Sequence, residues 1–317
     1  MTVTPMKSAV FAGALAFSLA FAAPVASAIG IGLQPTTVEM SLKPGERQRQ
    51  AISIVNVHQE KAISMTIGLA DWSLDDEGEI LLAAPGDLEK SGAMWAQYSP
   101  GFVTLEPGES EQIIVDIAAP ARISDAGDYR FALLASTILP EERGGGSGVW
   151  RRYQLASLFY VTTGDAESRP EIVGSGVSVD EAGHAVVGLR IENDGNAHAR
   201  LNGDIEITVG DELTSLPIGN VVVLDGGIRN FRAPLNTPLA DGAEITVKLT
   251  NSFAPQVDGA VKTLEPFPIA WTADDLLLPS GNLEGAVGID AETGIETERT
   301  GSGTAMVTDT PVEGGLE

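Results

Sequence analysis

The residues whose types and spacing could best support a chemical function are a group of carboxylates around one turn. The group consists of Asp71, Asp75, Asp76, Glu77 and Glu79. Carboxylate oxygens are the ligands that Ca²⁺ prefers in proteins, but this spacing does not match that of an EF-hand loop. A chain with 44 acidic residues also produces such groups by chance. We therefore expect neither a metal nor any other cofactor.

The usual catalytic residues are scarce. The chain has no cysteine, which excludes thiolate catalysis, disulfides and cysteine metal sites. Its three histidines stand apart, and since His184 and His198 flank predicted turns we expect them to be exposed. The segment Gly144–Gly148 lacks the Gly-Lys-Ser/Thr ending of a phosphate-binding loop and joins two predicted strands. We therefore expect neither an enzyme nor a small-molecule substrate.

The charge balance excludes two classes of partner. The 44 acidic residues outnumber the 19 lysines and arginines, which gives a net charge of −25. A surface this anionic repels phosphate backbones and anionic lipid headgroups. We expect no nucleic acid partner and no binding to anionic membranes.

The first 28 residues have the pattern of a secretory signal peptide. Lys7 is the single positive charge of the n-region, and an apolar run follows from Ala9 to Ala23. Ala26-Ser27-Ala28 then provides a small-x-small cleavage pattern. The apolar run is shorter than the ~20 residues that span a bilayer. We expect cleavage after Ala28, no membrane insertion and a periplasmic location, with the extracellular space or cell surface as the alternative.

Short β-rich segments separated by turns fill most of the remaining chain. Ile113, Val115 and Ile117 show the spacing of a half-buried strand, and turn signals such as Pro107-Gly108 separate the segments. A polar break at 164–170 ends in a proline, after which the strand pattern restarts. We predict an all-β protein of two antiparallel β-sandwich domains, at residues 29–163 and 171–271, joined by the linker 164–170. The turn Asn193–Asn196 predicts a hairpin in the second domain.

The last segment, residues 272–317, has the composition of a disordered tail. It contains ten acidic residues, one basic residue and eight glycines. Such a segment has too little apolar area to offset the entropy lost on ordering. An alternative for part of it is that the apolar patch Leu276–Leu278 docks on the second domain.

Several motifs in the first domain occur together in a recognisable order. They are Pro35-Thr36-Thr37-Val38, Pro44-Gly45, Ile54-Val55-Asn56-Val57, Asp71-Trp72, Ser99-Pro100-Gly101-Phe102, Leu105-Glu106-Pro107-Gly108-Glu109, Gln112-Ile113 and Leu158-Phe159-Tyr160-Val161. In order and spacing, residues 30–163 resemble the periplasmic pilus-assembly chaperones (PapD-like). The resemblance implies two immunoglobulin-like domains. The strand pattern that restarts at Pro170 has the length and the all-β character expected of the second one. The acidic tail has no counterpart in that family.

The resemblance also implies a mechanism and partners. These chaperones bind a pilin subunit that lacks a strand, and the last strand of the first domain pairs with the subunit by β-augmentation. The implied partners are an exported pilin-like subunit and an outer-membrane usher. On this chain the implied client-binding residues are Thr37, Trp150, Leu155, Ser157 and Phe159.

The sequence departs from the family at the residues that hold the client's terminal carboxylate. The family has an arginine in the first strand and a lysine in the last, and the matching positions here are Thr37 and Ser157. A neutral hydroxyl forms a weaker hydrogen bond to a carboxylate than a cation does. Two functions therefore remain open: a divergent assembly chaperone, or a secreted or surface β-sandwich protein that has the fold without client capture.

Overall fold

The computed structural model describes residues 30–137, 152–235, 238–253, 262–273, 276 and 305–308. The predicted signal peptide, Gly144–Gly148, Trp150 and most of the tail lie outside these ranges. The described chain is built of strands with one short 3₁₀ helix at Ala93–Trp95, which confirms the all-β prediction. Within these ranges no helix is long and apolar enough to cross a lipid bilayer.

In the part of the first sandwich that the structure describes, residues 30–137 and 152–163, there are ten strands. They are β1 (Ile31–Gln34), β2 (Thr37–Ser41), β3 (Arg47–Asn56), β4 (Ile63–Leu74), β5 (Ile80–Ala83), β6 (Ala96–Ser99), β7 (Phe102–Leu105), β8 (Ser110–Ala118), β9 (Gly127–Thr137) and β10 (Arg152–Thr163). One sheet has the order β1-β3-β8-β6, and the other runs β10-β9-β4-β5, with β2 on β10 and β7 on β4. These strand pairs are antiparallel except for β2 with β10, which is parallel.

The alternation in β8 shows why the sequence forms this sandwich. Ile113, Val115 and Ile117 are fully buried, whereas Asp116 between them is exposed. The period of two places every second side chain in the core between the sheets. Complete burial of such aliphatic side chains stabilises the fold by about 1.5–3 kcal/mol each.

The described residues of the second sandwich, which exclude 236–237 and 254–261, form eight strands. They are β11 (Pro170–Val179), β12 (Ala185–Asn193), β13 (Ala199–Val209), β14 (Glu212–Val223), β15 (Ile228–Pro234), β16 (Glu244–Asn251), β17 (Lys262–Thr263) and β18 (Phe267–Ile269). The sheets have the orders β11-β12-β15 and β14-β13-β16-β17, with β18 on β16. The core has its own buried residues, and Leu276 packs against it, as the docking alternative predicted for the first residue of that patch.

The predicted hairpin at Asn193–Asn196 is wrong. β12 pairs with β11 and β15, whereas β13 pairs with β14 and β16, so the turn carries the chain from one sheet to the other. The buried side-chain amide (Nδ2) of Asn193 donates to the carbonyl oxygens of Ala197 and Val223, which connects the turn to the neighbouring backbone. Local turn chemistry fixes the reversal of the chain, but the choice of sheet depends on packing.

An apolar cluster joins the two sandwiches. Trp72, Leu134 and Tyr160 of the first sandwich pack with Leu224 of the second, and the rings of Trp72 and Tyr160 meet edge to face at 5.0 Å. The backbones also meet, since the Asp128 amide donates to the Asn196 carbonyl at 3.0 Å.

Gly127 permits this close approach of the two backbones. Its φ is 121°, and a Cβ atom there would lie 2.1 Å from the carbonyl oxygen of Asn196. Residues with side chains rarely adopt that φ, and no real atom pair tolerates that distance. A glycine is therefore required at this point of the domain junction.

Four residues of the predicted disordered tail form a strand. β19 (Ala305–Thr308) pairs antiparallel with β10, and its register runs from Arg152 opposite Thr308 to Leu155 opposite Ala305. For these four residues the prediction of disorder is wrong. The segment is uncharged and β-prone within an acidic tail, and β10 offers it a partner.

Candidate binding edge and domain junction

Strand β10 has two edges with different neighbours. Its inner edge pairs with β9 along Tyr153–Thr163. Along its outer edge, β2 covers Leu158–Thr162 and β19 covers Arg152–Leu155. The first half of the outer edge is therefore the part that the described strands of the first sandwich leave available. It belongs to the last strand of the first domain, which the resemblance implied as the client-pairing strand.

The direction of the backbone groups along this edge follows from two hydrogen bonds. The Leu158 amide donates to Thr36 O at 2.8 Å, and the Leu42 amide donates to Thr162 O at 3.0 Å, both across the outer edge. Backbone polar groups alternate between the two edges of a strand. The amides of Arg152, Gln154 and Ala156 therefore point outward, whereas those of Tyr153 and Leu155 point toward β9.

Ser157 does not occupy a position from which it can bind a client. The residue is fully buried, and its hydroxyl donates a 2.7 Å hydrogen bond to the carbonyl oxygen of Pro35. The hydroxyl proton therefore serves to fix the β1–β2 turn against β10. The prediction that Ser157 contacts a client carboxylate does not fit this placement.

Thr37, in contrast, lies on the surface. It is exposed at the start of β2, opposite Leu158. It lines a shallow cavity of about 640 Å³ together with Gln34, Pro35, Thr36 and Ser53. Because Ser157 points away into its bond with Pro35, the structure does not combine the two hydroxyls into one site.

The three predicted apolar contacts have different placements. Phe159 is fully buried and stacks on Phe131 with ring centroids 4.4 Å apart, so it belongs to the core and cannot reach a client. Leu155 is half-buried and packs against the same core, and Trp150 lies outside the described residues. Two further residues of β10, Ala156 and Leu158, were not among the predicted contacts. They are partly buried against the apolar cluster between the two sandwiches. The period of two could have found them, since a core position at 159 turns 156 and 158 to the opposite face.

Three cations of the described junction have acidic partners in the opposite sandwich. Arg130 and Lys90 of the first sandwich both pair with Asp225 of the second, the Lys90 contact being 3.4 Å. Arg200 of the second sandwich pairs with Glu39 of β2. Within the described part of the junction, these arginines and this lysine are therefore already neutralised, and a terminal carboxylate would have to displace an acidic side chain to bind one.

His198 is the most unusual polar residue at the junction. It was expected to be exposed but is completely buried, because the first sandwich covers its turn. Its Nδ1 lies 2.6 Å from Asp128 Oδ2, and its backbone amide donates to the same oxygen at 2.7 Å. Its Nε2 lies 3.5 Å from Glu39 Oε1, and its ring packs 4.2 Å from that of Tyr160.

These contacts shift three pKa values. Burial opposes the charged imidazole, but its hydrogen bond to the Asp128 carboxylate and the nearby Glu39 carboxylate raise the pKa of His198 above its ordinary 6.5. Burial likewise opposes ionisation of Asp128, but its bonds with His198 and Thr162 hold the pKa of that carboxyl below 3.8. The His198 contact lowers the pKa of Glu39. The arrangement favours an imidazolium held between two carboxylates.

The acidic group considered for Ca²⁺ has other partners. The Asp71 carboxylate accepts hydrogen bonds from the Gly86 and Leu88 amides and from the Ser91 hydroxyl. The turn after it contacts the second sandwich, where Asn230 donates to the Glu77 carboxylate at 3.1 Å. Among the described residues, no group of three or more histidine, aspartate or glutamate side chains is placed to hold a metal ion.

Comparison with known proteins gives structural likeness only. No family model and no curated protein matches the sequence. The chain is similar to the CsuC–CsuE chaperone–tip subunit complex of Acinetobacter baumannii Csu pili, at 14% identity and a TM-score of 0.40, covering 76% of this chain and 99% of that one. It is also similar to the Pseudomonas aeruginosa CupB2 chaperone (12%, TM-score 0.37, 75% and 100% covered) and to the Salmonella enterica SafB chaperone with SafA pilin (13%, TM-score 0.39, 75% and 95% covered). At these values, function has to be argued from β10 and its edges.

Proposed function

We propose that the protein is an assembly chaperone that binds an exported, pilin-like subunit by strand pairing. The binding element is the first half of the outer edge of β10, at 152–156. The observation that carries the proposal is the pairing of β19 with this edge, since it demonstrates geometry suited to an added strand. β-Augmentation needs an edge whose backbone groups can pair with an added strand in a fixed register.

The expected binding energy comes from backbone hydrogen bonds and apolar contacts. The outward amides of Arg152, Gln154 and Ala156 supply donors to a client strand. Leu155 and Trp150 are the apolar side chains that remain for contact after Phe159 is assigned to the core. Since Ser157 donates to Pro35, a client carboxylate contributes less than it would beside a cation.

The location and the second partner follow from the same proposal. The predicted signal peptide at 1–28 would deliver the chain to the periplasm, where exported subunits pass before assembly. An outer-membrane usher is the corresponding acceptor of the subunit. The acidic surface does not favour nucleic acid or anionic membranes as competitors.

A specific observation favours the second candidate, a secreted or surface β-sandwich protein without client capture. The Ser157 hydroxyl donates to Pro35, and Arg200, Arg130 and Lys90 are paired with acids. These residues therefore offer no anchor for a client's terminal carboxylate. On this alternative the edge of β10 stays covered by β19.

A proline substitution at Gln154 separates the two candidates. The Gln154 amide points outward, so proline there removes an outer-edge donor and leaves the β9 pairing, as proline does on edge strands. Gln154→Ala is the matched control, because both variants lose the side-chain bond to Ser136 and only the proline loses the amide. Each variant is co-expressed with the neighbouring secreted proteins and pulled down. A chaperone loses its subunit in Gln154→Pro and keeps it in Gln154→Ala; equal recovery from both contradicts strand pairing at this edge.

A further inference from the structure

The pairing of β19 with β10 uses the same backbone groups as the proposed client. Gln154 lies opposite Met306 and Arg152 opposite Thr308. Because the Gln154 and Arg152 amides point outward, these are the hydrogen-bonded pairs of the antiparallel ladder. The intervening Val307, opposite Tyr153, directs its own amide away from β10. Ala156, the third outward amide, is beyond the end of β19.

The composition of the tail singles out this segment. Residues 305–308 read Ala-Met-Val-Thr and carry no charge, although residues 272–317 contain ten acids and one base. Gly303 precedes the segment by two positions, and Pro311 follows it. Uncharged β-prone residues favour pairing, and a proline ends it.

The length of the chain allows the segment to reach its own β10. Leu276 packs on the second sandwich, and 28 residues separate it from Ala305. At about 3.3 Å per residue these can span about 90 Å, more than the dimension of either sandwich. An attached strand competes at an effective concentration of the order of millimolar, so even weak pairing covers the edge.

We infer that residues 305–308 are a built-in occupant of the client-binding edge and that a client strand must displace them. The part of this inference that concerns a client rests on the proposed function, whereas the covering of the edge does not. A covered edge is protected from pairing with other copies of the chain, which is the usual hazard of an exposed strand. A client strand that also reaches the Ala156 amide makes a longer ladder than the four residues of β19 and therefore displaces it.

Hydrogen exchange at single amides tests the covering directly. The mature chain is compared with Met306→Pro, which removes the amide facing Gln154, and with Val307→Pro, which removes an amide facing away. If β19 covers the edge nine-tenths of the time, Met306→Pro speeds exchange of the Gln154 amide about tenfold. Val307→Pro leaves it within about twofold, and the Tyr153 amide, which faces β9, is unchanged in both.

Two results would overturn the inference. One is exchange at Gln154 that is equal in the wild-type chain and Met306→Pro. The other is protection in the wild-type chain that disappears on dilution, because the occupant would then be the tail of a second copy.

Client capture by the same variants separates this inference from the proposed function. With the edge open, apparent affinity for a subunit rises about tenfold in Met306→Pro relative to Val307→Pro. If Met306→Pro speeds exchange of the Gln154 amide but no variant recovers a subunit, residues 305–308 do cover the edge and the proposed chaperone function is wrong. If Gln154 exchange is unchanged in Met306→Pro and a subunit is recovered, residues 305–308 do not cover the edge and the proposed chaperone function is supported.

Discussion

The imidazole of His198 and the carboxylate of Asp128 lie 2.6 Å apart although they belong to different sandwiches. Both side chains are fully buried. A contact of this kind exists only when the two sandwiches are docked, so its strength reports on the junction. Its ionisation can therefore be used to probe how the sandwiches hold together.

We expect stability that depends on His198 to fall as the pH rises. The folded-state pKa of His198 is raised, so its contribution is fully present below the ordinary value of 6.5 and is lost as the pH rises through the raised pKa. The lowered pKa of Asp128 acts on the other side: its contribution is present above 3.8 and is lost as the pH falls through the folded value. The junction is therefore most stable between these limits.

The measurement is the melting temperature of the chain without residues 1–28, between pH 5 and 9, in the wild type, His198→Gln and His184→Gln. His198→Gln should lose the decline on the alkaline side. His184→Gln is the matched control, since that side chain is 40% exposed and its partner Asp180 lies in the same sandwich. Parallel curves for the wild type and His198→Gln would show that the imidazole carries no charge in the folded state.

Substitutions at Ser157 should destabilise the fold. Ser157→Ala leaves the Pro35 carbonyl without its donor and is expected to lower the free energy of unfolding by about 1–3 kcal/mol. Ser157→Lys is expected to lower it further, because a fully buried position cannot hydrate an ammonium group. Urea unfolding measures both. Thr37→Arg, on the exposed side of the same turn, should leave the unfolding free energy near that of the wild type, and a comparable loss there would argue against this assignment.

Trp150 and Phe159 should behave differently when truncated. Phe159→Ala removes a stacked core ring and is expected to lower the free energy of unfolding by about 3–5 kcal/mol. Trp150→Ala is expected to weaken subunit recovery in a pull-down and to leave unfolding unchanged. If Trp150→Ala instead destabilises the chain and recovery persists, Trp150 is a core residue and does not contact the client.

Gly127→Ala should disturb the domain junction. The substituted residue would have to keep a φ of 121° and place a methyl group 2.1 Å from the Asn196 carbonyl. We expect a loss of at least about 2 kcal/mol in the free energy of unfolding and faster proteolysis at residues 164–169, between β10 and β11. Gly68→Ala is the control, since no heavy atom lies within 4 Å of the new methyl group and its φ is not positive. Equal behaviour of the two variants would mean that the sandwiches do not dock as described.

The parts of the fold that follow from local patterns were predictable. The alternation of Ile113, Val115 and Ile117 predicts the burial found in β8, because a strand's period of two depends on the strand alone. The restart of strands at Pro170 follows from the same kind of pattern. The burial of His198 was not predictable, because its cover comes from Asp128, 70 positions earlier in the chain.

The candidate site was predictable in outline only. The motifs that resemble those of pilus-assembly chaperones predict β10 as the client-pairing strand, and Thr37 lies on the surface beside it. They could not reveal that Ser157 is buried beneath the β1–β2 turn, because the donor bond to Pro35 joins residues 122 positions apart. Nor could composition reveal β19, since four uncharged residues hardly change the average of an acidic tail.

The apolar cluster between the sandwiches bears on how this gene can be recombined. Trp72 and Tyr160 pack with Leu224 across the junction, next to charges that pair from one sandwich to the other. A fragment ending in the linker would expose aromatic surface and leave Arg130 facing water without Asp225. Each sandwich has its own core, but we expect neither to be stable as an isolated domain. Exchange of domains between related chains should therefore succeed only when both halves of the junction are transferred together.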